Sequence, residues 1–158
     1  MSSLVSNAND FIRRFAPSSL ISVLLISSQI YVIITLEVNK VRNDELSIQS
    51  MNFAVQIINL VKVLKSKHET VISNQIGRSG TSIGANIREA QYAHGKPDFI
   101  AKMQIALKEA NETSYWLELL YKTDYIDEQT YKSLDSSCAS IRVMLISSIN
   151  TAKSNNIP

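Results

Sequence analysis

The sequence has little with which to build turns, crosslinks or metal sites. Only 4 of its 158 residues are Gly and 3 are Pro, so long stretches must sit in regular structure. A single cysteine, Cys138, excludes an intrachain disulfide and leaves the redox compartment open. There are two histidines, His68 and His94. The run His68, Glu69, Thr70, Val71, Ile72 lacks the second histidine of an HExxH zinc site. Neither histidine completes the Glu-x-x-His pattern of di-iron bundles. Charge of one sign is also missing, since the formal net charge is only +2. Arg13, Arg14, Lys40 and Arg42 against Asp10 and Glu37 account for all of it, so the chain beyond residue 42 is neutral. A neutral domain has no overall field to draw it onto nucleic acid, and any such contact needs a local or repeated patch.

What is present falls into two unlike parts. Residues 20–36, LISVLLISSQIYVIITL, carry no charge. As a helix this run spans roughly 25 Å, short of the hydrocarbon core of about 30 Å. Ser22, Ser27, Ser28, Gln29 and Thr35 weaken it further. Charges on both sides leave it unoriented, and no clean cleavage site follows. Three readings stand: a membrane anchor, an extra helix or strand packed on the domain, or an early start, the natural product lacking the first forty residues. We therefore treat residues 1–42 as an apolar extension and residues 43–158 as the domain. Its core is expected to begin near residue 44, and its setting is expected to be the cytoplasm.

From Asp44 onward apolar residues recur at helical spacing. Phe53, Ile57, Leu60, Val61 and Leu64 define a helix over about 47–68. Ile76, Ile83, Ile87 and Ala90 define a second over about 73–94, stopped by Gly95, Lys96, Pro97 and Asp98. Phe99, Met103, Ala106, Ala110, Thr113, Leu117 and Leu120 form a heptad seam on a third, widened by Ile105 and Trp116 and ending near Thr123. Asp127 can cap a fourth, with Leu134, Cys138, Ile141, Leu145 and Ile149 inward and a frayed tail at Ser154, Asn155 and Asn156. Short connections between four helices predict an all-α, antiparallel up-down-up-down four-helix bundle.

Residues 75–90, QIGRSGTSIGANIREA, hold Gly77, Gly80 and Gly84 inside a predicted helix. Each costs about 1 kcal/mol there relative to alanine. Close approach of another helix offsets that cost, and a leucine at Gly80 or Gly84 should then overpack the contact. A phosphate cradle at Gly77, Arg78, Ser79 and Gly80 lacks the strand, spacing and lysine of a P-loop. An oligomer interface, or nucleic-acid contact through Arg78 and Arg88, is the other reading.

RSGTSIGANIREA, followed by DFIAKMQIALKEANETSYWLELL from Asp98 to Leu120, resembles the four-helix-bundle proteins encoded in 23S rRNA intervening sequences, also called S23-type proteins. The resemblance covers about residues 44–150. It implies kinship with the accessory variability determinant of diversity-generating retroelements, whose pentameric barrels bind nucleic acid and a reverse transcriptase. Matching positions are Arg78, Ser79, Asn86, Arg88 and Glu89 in the second helix and Lys108, Glu109 and Glu112 in the third. Those accessory proteins are strongly basic, whereas this domain is neutral. The resemblance thus implies a homopentamer that contacts RNA or DNA through Arg78, Arg88 and Lys108, with a reverse transcriptase as partner by analogy.

Catalytic chemistry finds little support. His94 beside its turn suits an exposed or capping role. Cys138 falls on an inner helix face, where a small core residue is expected. Glu89, Glu109 and Glu112 read as partners of Arg78, Arg88, Lys102 and Lys108 in ion pairs within and between subunits rather than as an acid–base pair. Tyr115, Trp116 and Tyr121 can stack bases, but suit a bundle end or a subunit interface, and we assign Trp116 to packing with the three glycines. The expectation is a non-enzymatic oligomeric interaction protein without cofactor or metal. The alternative is a membrane-tethered or passenger bundle that binds no nucleic acid.

Overall fold

The computed structural model describes residues 18–154; before Asp44 it describes the side chains of Ser27, Gln29, Ile30, Tyr31, Ile33, Ile34 and Glu37 only. The expected frayed tail at Asn155 and Asn156 and the flanking charges Arg13 and Arg14 lie outside the described residues. Four helices follow in order: α1 Ser18–Ser66, α2 Val71–Ala90, α3 Lys96–Lys122 and α4 Glu128–Ser154. The chain divides into two units, Met1–Arg42 and Asn43–Pro158, and the division falls within α1.

In the first unit the run at residues 20–36 is helical, not a strand. The expected helix start near residue 47 is corrected to Ser18. Residues 37–46 contain neither Gly nor Pro, so nothing there ends a helix. Ile30, Tyr31, Ile33 and Ile34 are exposed. Among the described residues no helix is long and apolar enough to cross a membrane.

The second unit is a four-helix bundle. Gly77, Gly80 and Gly84 of α2 face Val61, Ile57 and Ser50 of α1, so numbers fall on one helix as they rise on the other. Arg78 meets Glu112 and Lys102 meets Glu89, which sets α3 antiparallel to α2. Ser114 bonds Asp135 and Tyr121 stacks on Tyr131, which sets α4 antiparallel to α3. The core is most of the set the spacing picks out: Phe53, Ile57, Leu60 and Leu64; Ile76, Ile83 and Ile87; Met103, Ala106, Ala110, Leu117 and Leu120; Leu134, Cys138, Ile141, Leu145 and Ile149, with Val61 and Phe99 only half-buried and Ile105 exposed. Each large apolar side chain buried this way contributes about 1.5–3 kcal/mol.

The connections are short because each helix end is closed locally. His68 and Asp124 adopt left-handed backbone (φ 61° and 59°) just past α1 and α3. Behind them the N–H groups of Glu69 and Tyr125 donate to the carbonyls of Leu64 and Leu120. These are Schellman closures with non-glycine residues at the turning position. Helix α2 ends at Ala90, four residues before the expected stop. The N–H groups of Gln91, Tyr92 and Ala93 donate three residues back, to Arg88, Glu89 and Ala90, tightening the chain into turns. Helix α3 opens with Pro97 in its first turn, and Asp98 Oδ2 accepts from the His94 N–H at 3.1 Å. Asp127 Oδ1 accepts from the Thr130 N–H at 2.7 Å, the expected cap of α4. That bond holds the Asp127 carboxyl below its ordinary pKa.

Candidate functional site

Helix α2 presents two different sides to its neighbours. Toward α1 it offers almost no side chain. A Cβ placed on Gly80 would lie 2.9 Å from both Cγ1 and Cγ2 of Ile57, and one on Gly77 would lie 3.3 Å from Val61 Cγ2. At Gly84 the nearest atom would be Ser50 Oγ at 3.5 Å, an ordinary contact. The glycines therefore set how near α1 can come, and Gly80 is the tight point. Gln91 Nε2 donates to Ser47 Oγ at 2.8 Å beyond the end of α2.

Toward α3 the same helix is polar. Arg78 Nη2 lies 3.0 Å from Glu112 Oε1, and that oxygen also accepts from Trp116 Nε1 at 3.3 Å. Lys102 pairs with Glu89, and the hydrogen bond to Glu89 raises the ammonium pKa above its ordinary value. Beneath these pairs the hydroxyls of Ser79 and Thr113, both fully buried, bond each other at 2.9 Å. Glu109 is half-buried, with Oε2 shielded and without a hydrogen-bond partner among the described residues. Tyr115 stands edge-on to Trp116 at 4.9 Å and is exposed, whereas Tyr121 lies flat on Tyr131 at 4.9 Å.

Nucleophile chemistry has no support in these positions. Cys138 is fully buried and gives its Sγ–H to the Ala110 carbonyl at 3.3 Å. Burial pushes its thiol up to about 11, so it holds its proton at neutral pH. An open cleft of about 640 Å³ lies between α1 and α4, with Gln56, Asn59 and Ser133 around Leu60 and Leu134. Its two charged residues are engaged locally: Lys67 Nζ donates to the Tyr125 carbonyl at 3.0 Å, and Asp127 caps α4. Among the described residues no three His, Cys, Asp or Glu side chains gather closely enough to hold a metal ion.

The sequence profile of the family described as 23S rRNA-intervening sequence protein matches residues 42–147, about two thirds of the chain. The chain belongs to this family. A crystal structure of a protein with unknown function from the S23 ribosomal protein family of Bacteroides thetaiotaomicron VPI-5482, at 1.70 Å resolution, is 51% identical. The match covers 69% of this chain and 98% of that one, with a TM-score of 0.68. No curated protein matches.

Within this family member the three cations picked from sequence are not alike. Arg78 is exposed but tied to Glu112. Arg88 and Lys108 are exposed and make no ion pair among the described residues. Of the four cations of α2 and α3 expected to pair with the glutamates within or between subunits, Arg78 and Lys102 do so within the chain. The sequence reading missed Glu69. This buried carboxylate accepts the N–H groups of Ile72 and Ser73 at 2.8 and 2.6 Å and caps α2, while Thr70 makes no side-chain cap. An acidic residue just ahead of a helix was the available signal.

Proposed function

We propose that this chain is a non-enzymatic, homo-oligomeric interaction protein of the cytoplasm that contacts structured RNA or DNA through cations repeated around the assembly. The observation that carries the reading is the state of Arg88 and Lys108, exposed on α2 and α3 without an ion-pair partner among the described residues. Arg78 adds a third exposed guanidinium, with donors left beyond the one that faces Glu112. One neutral copy attracts phosphate weakly, and several copies multiply these groups without changing the balance of charge. A pentamer, and a reverse transcriptase as partner, follow by analogy with the retroelement accessory determinants.

Binding to a structured RNA across a salt series tests this. Affinity should fall as salt rises, and Arg88→Ala with Lys108→Ala should flatten the slope. No binding at low salt would favour the alternative of a structural passenger. Recovery of the native product in the membrane fraction would favour a tether through residues 20–36.

A further inference from the structure

The cleft between α1 and α4, about 640 Å³ in volume, lies within the range of about 300–1,000 Å³ usual for ligand sites, and its lining is orderly. From α1 come Gln56, Asn59, Leu60 and Val63, whose spacing sets them on one face of the helix. From α4 come Gln129, Ser133 and Leu134. The floor is apolar. Leu60, Ile126 and Leu134 keep only 7%, 9% and 6% of their surface exposed. The rim is polar and uncharged. Gln56, Asn59, Gln129 and Ser133 are exposed, and their side chains make no hydrogen bond among the described residues. The two charged residues of the cleft are both committed: Lys67 Nζ to the Tyr125 carbonyl at 3.0 Å, and Asp127 Oδ1 to the Thr130 N–H at 2.7 Å.

This lining limits what fits. Lys67 and Asp127 are of opposite sign, so the cleft offers no net charge to an ionic ligand. A polyol would turn hydroxyls onto an aliphatic floor and leave them without partners. A neutral planar heterocycle suits both parts: its face covers the floor and its edge meets the rim. Each amide of the rim sets an oxygen acceptor beside N–H donors. The base edge that matches such a pair is that of adenine, with N7 accepting and the N6 amino group donating. Guanine calls for Arg or Lys, and cytosine for a carboxylate. The cleft has three amides and no arginine, and its lysine and carboxylate are already bonded elsewhere.

We infer that the α1–α4 cleft is a binding site for adenine, with the base lying on Leu60 and Leu134 and its N6/N7 edge held by the rim amides. Ser133 adds a hydroxyl that both donates and accepts. The base can arrive as a free nucleoside or as an unpaired adenine in a strand, and the same atoms recognise both. No residue of the cleft is shared with Arg78, Arg88 and Lys108. The two readings therefore stand or fall separately.

Equilibrium dialysis of the full chain against labelled adenosine tests the first source. Adenosine should be held about tenfold more tightly than guanosine or cytidine. Ser133→Trp fills the cleft from an exposed position and should abolish retention. Asn59→Ala and Gln129→Ala, also at exposed positions, should each weaken it about tenfold, and they carry the test should Ser133→Trp lose its helical circular dichroism. An RNA hairpin with one bulged adenine tests the second source. It should bind more tightly than the same hairpin with a bulged guanine, and Ser133→Trp should erase that difference. Retention of free adenosine alone assigns a nucleoside site, and preference for the bulged adenine alone assigns a strand site. Failure of both, with adenosine at millimolar concentration, overturns the inference. Equal affinity for adenosine and guanosine overturns the choice of base. Retention unchanged by Ser133→Trp, Asn59→Ala and Gln129→Ala overturns the cleft as its place.

Discussion

Helix α2 meets α1 and α3 in opposite ways, and the contrast shows how one short helix can be held twice. Against α1 the fit is steric: Gly80 brings the α2 backbone onto Ile57, with no charge anywhere in residues 46–61 of the partner. Against α3 the fit is polar: two ion pairs lie over a buried pair of hydroxyls. A steric seam is sensitive to volume and indifferent to salt. A polar seam depends on each partner being present, and its exposed part answers to ionic strength.

The strongest way to break the contrast is to add volume at its tightest point. Ile57 is fully buried, β-branched and therefore stiff, and its Cβ itself would lie 3.2 Å from a Cβ at Gly80. Gly80→Leu should destabilise by about 3 kcal/mol, the upper part of the range for overpacking. Denaturant melts would show a lower midpoint with little dependence on salt. A melt that matches wild type would mean that α1 yields freely and that the glycine does not set the spacing.

The next effect belongs to the polar seam. Thr113→Val keeps the shape and removes the hydroxyl that serves Ser79, which is fully buried. The remaining Ser79 bond, to the Ile76 carbonyl, is long at 3.5 Å. A stranded hydroxyl costs about 1–3 kcal/mol, so a loss near 2 kcal/mol is expected. Adding Ser79→Ala should recover part of it, since both partners are then apolar. A double variant as unstable as the sum of the singles would show that the two hydroxyls act independently.

Much of this was legible in the chain. The seam is buried from Met103 through Ala106, Ala110, Thr113 and Leu117 to Leu120, with Phe99 at its start half-buried, and Leu134, Cys138, Ile141, Leu145 and Ile149 are buried too. Spacing identified them because on α3 and α4 the longest continuous apolar line is the inward one. The glycines announced a close approach, but not that Gly80 is tight and Gly84 loose, which depends on whether Ile57 or Ser50 lies opposite. Helix ends were less legible. The end of α2 at Ala90 and the Glu69 cap rest on hydrogen bonds between backbone groups and one carboxylate, which leave no periodic trace. For the candidate site, sequence supplied Arg78, Arg88 and Lys108 together; that Arg78 is paired within the chain depends on Glu112 lying across the α2–α3 seam.

A smaller effect of opposite sign sharpens the steric seam. A Cβ at Gly84 meets Ser50 Oγ and the Ser50 carbonyl oxygen at 3.5 and 3.6 Å, both ordinary contacts. Gly84→Ala then gains helix propensity with little clash, and stability should rise by up to about 1 kcal/mol. Thermal melts of Gly84→Ala beside Gly80→Ala would separate the two positions. Both falling together would make the whole glycine line tight, not just its centre.

The smallest effect tests the exposed part of the polar seam. Glu112 joins two side chains, taking Arg78 and Trp116 on the same oxygen. Its pair with Arg78 is open to water, at 63% and 34% side-chain exposure, so the Coulomb gain is largely screened. Glu112→Gln keeps an oxygen acceptor for both donors and removes only the charge. The expected loss is about 0.5 kcal/mol at low salt, fading at ionic strengths where the Debye length falls below about 8 Å. Melts of this variant and of wild type, at low and high salt, measure it by difference. A loss of several kcal/mol that persists in high salt would show that the carboxylate is structural and buried in effect. The division between a salt-sensitive α3 side and a salt-indifferent α1 side would then fail at its weakest joint, leaving the Ser79–Thr113 pair and the Gly80 contact as its remaining supports.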